Sequence, residues 1–130
     1  MDLVKQLSDR VFFIAGGLFM YFTEHQMKLF LPEIASRFPQ AELIFDSIPT
    51  KSIKSSNQML NEVNMASAIL QWGLDEGSTL ETWSPQVKLI CQMPYFKKIK
   101  AHYRFPLMIR ARMLFYDLIE KGGIIHLKFA

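Results

Sequence analysis

The sequence predicts an α/β fold with a mostly parallel sheet, and three consecutive segments carry this prediction. Residues 11–15 form an unbroken apolar run that ends at Gly16–Gly17, which is typical of a strand buried on both faces. Residues 24–38 place apolar side chains at helical spacing, and residues 41–48 again have the pattern of a strand. A strand, a helix and a strand in succession form a βαβ unit, whose crossover we expect to be right-handed.

The helix of this unit has a recognisable start and a proline in its interior. Thr23 and Gln26 form a Thr-x-x-Gln pair, which predicts a capping box. Pro32 lacks the N–H that a helix interior uses, so we expect a kink or a restart there. The buried face is predicted to consist of Met27, Phe30, Leu31, Ile34 and Phe38.

The remainder of the chain predicts two further strands, each preceded by a helix. We place the first of these helices from about Ser55 to Leu70. Residues 86–93 alternate in the manner of a strand, and a long helix then covers roughly residues 105–121. A Gly122–Gly123 turn leads into a final strand at residues 124–129. The inward positions of the Ser55–Leu70 helix are predicted to be Leu60, Val63, Ala66 and Leu70.

Composition indicates one folded domain, residues 1–130, in a reducing compartment. Half of the residues are hydrophobic, including 11 Phe and 8 Met, which excludes a disordered chain. No apolar run approaches the roughly 20 residues of a membrane span, and no signal peptide opens the sequence, so we expect no membrane partner. Cys91 is the only cysteine and the three histidines are far apart, so we expect a cytoplasmic setting and no metal site.

The net charge of +3 is unevenly distributed along the chain. Residues 1–87 carry an excess of acidic side chains, whereas residues 88–130 carry nine Lys and Arg against two acidic residues. Within the basic part, Lys97–Arg112 interleaves cations with aromatic side chains, a pattern that favours an acidic partner. One alternative function is therefore a non-catalytic binding module that uses this segment. A solvated helix flank also explains the pattern, and we expect no nucleic-acid partner.

Four blocks of sequence resemble one enzyme family. They read FFIAGGLFMYFTEHQ, FPQAELIFDSI, QWGLDEGSTLETWSPQ and GGIIHLKFA, in this order and at family-like spacing. The chain resembles the leucine carboxyl methyltransferase superfamily, in particular the bacterial branch similar to tetracenomycin-type polyketide O-methyltransferases. The resemblance implies the C-terminal half of a doubly wound, Rossmann-like methyltransferase sheet. That half has three parallel strands and a final antiparallel strand, in the spatial order first, second, fourth, third.

The resemblance also implies a chemistry, namely methyl transfer from S-adenosylmethionine to an oxygen of a small-molecule acceptor, as in polyketide biosynthesis. Ala15, Gly16, Gly17 and Leu18 match the family segment beside the methionine part of the cofactor. Many members have Glu where Gly16 stands, so this chain lacks that carboxylate. The catalytic base is not identified by the resemblance.

Three further residues are candidates for the acceptor pocket. Met20 and Tyr21 follow the glycine turn and are positioned to wall the pocket, with core packing as the alternative. Asp46 ends the second strand, where a carboxylate can orient an acceptor or act as a base. A helix cap or a turn is the alternative role for Asp46.

Two features predict that the chain works with a partner. It contains no G-x-G-x-x-G loop, which the family carries in its first half, so the cofactor pocket is at most half present. We therefore expect the isolated chain to be inactive and to bind the cofactor weakly or not at all. The strand at residues 11–15 would also present an unpaired apolar edge. We expect that edge to bind a separate N-terminal half or a second copy of the chain.

Overall fold

The computed structural model describes residues 10–65, 67–94, 106–119 and 122–130. These residues form four strands, three α-helices and two short 3₁₀ helices. The strands are β1 (Phe12–Ala15), β2 (Glu42–Ser47), β3 (Val87–Met93) and β4 (Gly123–Phe129). The α-helices are α1 (Glu24–Arg37), α2 (Ser52–Glu62) and α3 (Leu107–Ile119), and the 3₁₀ helices span Phe19–Tyr21 and Gly77–Thr82.

The four strands form one open mixed sheet in the order β1-β2-β4-β3. Strand β1 is parallel to β2, with Phe12 opposite Glu42. Strand β4 is antiparallel to both of its neighbours, so β1, β2 and β3 run in one direction and β4 runs in the other. This is the strand order that the family resemblance implies.

One face of the sheet carries the hydrophobic core. Helix α1 and the loops around residues 72–80 pack on this face, because alternate residues of β2 and β4 point towards them. Phe45 is fully buried and its ring lies 5.1 Å from that of Phe19. The core consists of Phe19, Met27, Leu31, Ile34, Ala35, Phe38, Ala41, Leu43, Phe45, Trp72, Leu74, Leu80, Val87, Ile125, Leu127 and Phe129.

Helix α1 begins with the predicted capping box. The N–H of Gln26 donates to Thr23 Oγ1 at 3.1 Å, and the N–H of Thr23 donates to Gln26 Oε1 at 2.8 Å. The sequence predicted a kink or a restart at Pro32, and the restart is excluded because the helix runs through Pro32 without a break. The carbonyl group that loses its partner to Pro32 belongs to Lys28, which is an exposed residue.

Phe30 was predicted to lie on the buried face of α1, but its side chain is partly exposed. Its ring packs 5.5 Å from the ring of Phe19 at the margin of the core. The other predicted members of the stripe are buried.

The prediction that β1 is buried on both faces is wrong. Phe13 and Ala15 pack against the core, whereas 51% of Phe12 and 77% of Ile14 are exposed. Within the described residues, α1 covers one face of the sheet only, so alternate residues of β1 point to solvent. Strand β1 also pairs with β2 alone, which leaves its outer edge open in the part of the chain that the structure describes.

The helix predicted from about Ser55 to Leu70 corresponds to α2, which starts at Ser52 and ends at Glu62. Its end is followed by Asn64, whose φ of +58° is incompatible with a continuing helix. The chain then folds back, because the side chain of Asn57 bonds both backbone groups of Leu70, at 2.8 and 3.0 Å. Leu70 is buried as predicted, whereas Val63 is exposed and Ala66 lies outside the described residues.

Candidate functional site

The candidate site lies where β1 and β2 end. Because these neighbouring strands are parallel, their carboxyl ends meet at one edge of the sheet, with Ala15 opposite Phe45. The chain leaves β1 through Gly16–Gly17, and Asp46 stands near the end of β2. In open α/β sheets this edge is where ligands bind.

A hydrogen bond joins the glycine turn to the neighbouring strand. The N–H of Gly17 donates to Asp46 Oδ1 at 2.7 Å, across 29 residues of sequence. Asp46 Oδ2 accepts no hydrogen bond from any residue that the structure describes. The carboxylate therefore holds the turn with one oxygen and leaves the other available to a ligand.

The glycine turn is open to approach from outside. A Cβ added at Gly16 or Gly17 would have no neighbour within 4 Å apart from the adjoining residues. Gly17 has a φ of +61°, the left-handed conformation that glycine adopts without strain. The turn thus combines an exposed backbone with a carboxylate at its side, and a ligand can contact both.

Gly17→Ala is expected to lower the free energy of unfolding by about 1 kcal/mol, because Ala is strained at this φ while the space around it is free. Urea denaturation of the two proteins measures the difference. Gly16→Ala is the matched control, since Gly16 has equal space and no left-handed φ. Equal losses at both positions would contradict the turn geometry.

The segment after the turn is anchored by its backbone. Met20 O accepts hydrogen bonds from the N–H groups of Gln71 and Trp72, at 2.8 and 3.2 Å. Gln71 Nε2 donates to Tyr21 O at 2.8 Å. Phe19 fills the core below, so the exposed side chains of Leu18 and Tyr21 remain beside the glycine turn. Met20 is half-buried, so both of the roles considered for it, core packing and a position in the pocket wall, fit its place in the structure.

The structure therefore brings most of the predicted site residues to one edge of the sheet. Ala15, Gly16, Gly17 and Asp46 form one contact region, with Leu18 and Tyr21 exposed next to it. Sequence reasoning missed Gln71, whose two hydrogen bonds fix the segment after the turn. Nothing in the local pattern around Gln71 indicates this role, because its partners lie about 50 residues away.

A second network closes the same edge. Asp75 accepts hydrogen bonds from the N–H and the hydroxyl group of Thr50, at 2.9 and 2.6 Å, and Asp75 O accepts from the N–H of Gly122. Gln92 Nε2 donates to Asp75 O and Gly122 O. Asp75 thus joins the loops that follow β2 and precede β4, which makes it a structural carboxylate and distinguishes it from Asp46.

The alternative binding segment is only partly described. Lys97, Lys98, Lys100 and Arg104 lie outside the described residues, while Arg110 and Arg112 are exposed on α3. Among the described residues, no three of the side chains His, Cys, Asp and Glu are grouped to hold a metal ion. The described helices are all too short or too polar to cross a bilayer.

The chain matches no protein-family model, no curated protein and no solved structure.

Proposed function

We propose that this chain supplies the second half of an S-adenosylmethionine-dependent O-methyltransferase, with the cofactor and acceptor bound at the Gly16–Gly17 turn. The observation that carries the proposal is the hydrogen bond from Gly17 to Asp46. It creates an open glycine turn with a half-engaged carboxylate at the carboxyl ends of two parallel strands, where α/β enzymes bind their ligands.

The topology of the sheet also supports the proposal. Strand β4 lies between β2 and β3 and is antiparallel to both, which is the ending expected of a class I methyltransferase. The short link through Gly122 allows this insertion, since both Gly122 and Gly123 have positive φ angles.

The residues of the turn fit a cationic, backbone-contacting ligand. No side chain projects from Gly16 or Gly17, so a ligand can reach the backbone, and Asp46 offers a carboxylate oxygen to a positive group or a hydroxyl. S-adenosylmethionine, when bound, supplies an electrophilic methyl group on a sulfonium centre. The family's carboxylate is absent at Gly16, and Asp46 provides a carboxylate at the same turn.

The contribution of these residues to catalysis is positioning and proton handling. Asp46 is held rigidly through its Oδ1, so Oδ2 has a defined direction in which to orient an acceptor hydroxyl or receive its proton. Bound S-adenosylmethionine would supply the methyl group as its methyl–sulfur bond breaks and S-adenosylhomocysteine leaves, while Asp46 Oδ2 would take the proton of the acceptor oxygen. Leu18 and Tyr21 are exposed beside the turn, where a bound acceptor would contact them.

The proposal includes a separate N-terminal half. The chain lacks a G-x-G-x-x-G loop, so its own residues would hold only the methionine end of S-adenosylmethionine and would not hold the ribose. We therefore propose that the isolated chain is inactive and that an N-terminal half carrying this loop, packed at the open edge of β1, completes the pocket.

Titration of the ¹⁵N-labelled chain with S-adenosylmethionine tests the site. We expect weak binding, with a dissociation constant of about 1 mM, and amide shifts confined to the Gly16–Gly17 turn and its neighbours. Asp46→Asn keeps an oxygen for Gly17 but loses the charge, and it is expected to weaken binding at least about threefold. Glu62→Gln, which neutralises an exposed carboxylate on α2, is the matched control and should change nothing.

Two results would contradict the proposal in different ways. If millimolar cofactor produces no localised amide shifts, the Gly16–Gly17 turn does not bind S-adenosylmethionine. Low-micromolar binding by the isolated chain would show that the pocket is complete without a second half.

A further inference from the structure

A second candidate site lies at the opposite edge of the sheet. A cleft of about 510 Å³ opens at the amino-terminal ends of β1 and β2, beside the carboxyl end of β4. It is lined by Arg10, Val11, Phe12, Gln40, Glu42 and Lys128. The cleft is separated from the Gly16–Gly17 turn by the full length of β1, so it is independent of the proposed methyltransferase function.

The charges around this cleft are unbalanced. Strand register places Lys128 directly opposite Glu42 on β2 and directly opposite Lys88 on β3. Two like charges in directly opposite positions destabilise a sheet. Both lysines are exposed, and neither forms an ion pair with a residue that the structure describes. A bound anion would therefore reduce the electrostatic repulsion between Lys128 and Lys88.

Glu42 also lines the cleft, but its carboxylate forms no ion pair with either lysine. Glu42 Oε2 lies 2.6 Å from His126 Nε2, on the same face of the sheet, and both side chains are partly buried. Glu42 is therefore paired with His126, while Lys128 and Lys88 have no ion-pair partner among the described residues.

The other wall of the cleft is apolar and flat. The ring of Phe12 is half-exposed and meets the imidazole of His126 edge-on, at 5.9 Å between centroids. The His126 contact fixes the orientation of the ring, so its free face is available for stacking. Val11 extends the apolar surface into the cleft.

We propose that this cleft binds a small molecule in which a phosphate or carboxylate group is joined to an aromatic ring. The anionic group contacts the ammonium group of Lys128, with Lys88 adding to the local positive potential. The aromatic ring lies against Phe12. Neither part suffices for tight binding alone, since an exposed ion pair contributes little and a single ring contact is small.

Titration of the ¹⁵N-labelled full chain with phenyl phosphate, inorganic phosphate and benzyl alcohol tests the proposal at low salt. Phenyl phosphate is expected to shift the amides of residues 10–12 and Lys128 saturably, with inorganic phosphate weaker and benzyl alcohol without effect. Added salt is expected to weaken phenyl phosphate binding, because the contact is exposed. Benzoate in place of phenyl phosphate distinguishes a carboxylate ligand from a phosphate ligand.

Three variants assign the two contacts. Lys128→Gln is expected to weaken both phenyl phosphate and inorganic phosphate about fivefold. Phe12→Ala is expected to weaken phenyl phosphate alone and to bring it level with inorganic phosphate. Lys54→Gln removes an exposed lysine from α2 and should leave all three titrations unchanged.

The proposal is overturned if phenyl phosphate produces no saturable shift at residues 10–12, or if Lys128→Gln and Lys54→Gln have equal effects. It is also overturned if Phe12→Ala leaves the preference for phenyl phosphate intact. Both substituted residues are exposed, so circular dichroism spectra of the variants are expected to match the parent protein.

Discussion

Gly123→Ala is expected to lower the free energy of unfolding by about 3 kcal/mol, because two unfavourable effects coincide at this residue. Its φ of +117° is a conformation that glycine adopts without strain and alanine does not. A Cβ at this position would also overlap the carbonyl oxygen of Met93, in the neighbouring strand β3. The backbone of a paired strand cannot rotate away as a side chain can, so the end of the β3–β4 ladder must separate.

Urea denaturation followed by circular dichroism measures this loss. Gly16→Ala is again the suitable comparison, because its added methyl group meets nothing and its backbone is not left-handed. We expect that variant to differ from the parent protein by less than about 0.5 kcal/mol. If Gly123→Ala is equally mild, β4 does not enter the sheet at Gly123 as described.

Phe13→Lys is expected to abolish folding, because Phe13 points from β1 into the core. Its ring packs edge-on against that of Phe38, 5.2 Å away between centroids. Removing a core phenylalanine costs about 3–5 kcal/mol, and an unpaired ammonium group at the same position adds a desolvation cost. The sum approaches the whole stability of a typical domain.

Phe12→Lys is the matched variant, one residue away on the exposed face of the same strand. It is expected to remain folded and to reduce self-association, since a lysine on an edge strand opposes pairing with another edge. Circular dichroism and sedimentation velocity measure the two effects. A folded Phe13→Lys protein would contradict the core position of Phe13, and a parent protein that is monomeric with β1 exposed would contradict the expected self-association through this edge.

Sequence reasoning succeeded where the signal is local. Thr23 and Gln26 are three residues apart and define the start of α1 without reference to anything else. The Gly122–Gly123 turn fixed the entry to β4 in the same way, through glycines at positive φ. The order of the strands in the sheet was not predicted from a local signal, because periodicity does not show which strands are neighbours. That order came from the resemblance of the four blocks to the enzyme family.

Burial was harder to predict, because it depends on what lies opposite each face. Residues 12–15 are all apolar, so their pattern cannot tell a strand covered on both sides from one covered on one side. The early end of α2 has a similar cause. The Asn57 side chain is satisfied by the backbone of Leu70, and a contact between residues 13 positions apart leaves no mark on helical periodicity.

The candidate site was predictable in position and not in detail. Parallel pairing places the ends of β1 and β2 together, which was enough to group Gly16, Gly17 and Asp46. The hydrogen bond between Gly17 and Asp46 depends on a register and a side-chain rotamer that sequence does not encode locally. The same applies to Glu42 and His126, which are 84 residues apart.

The position of β4 also determines when this sheet can form during synthesis. Strands β2 and β3 are made first, yet they have no direct pairing and are joined only by a strand that leaves the ribosome after both. Until residues 123–129 emerge, the inner edges of β2 and β3 are both unpaired, and only the β1–β2 pair can assemble. Slow, long-range closure of this kind exposes apolar strands to wrong partners. The nascent chain is therefore expected to expose these two strand edges until residues 123–129 pair with them.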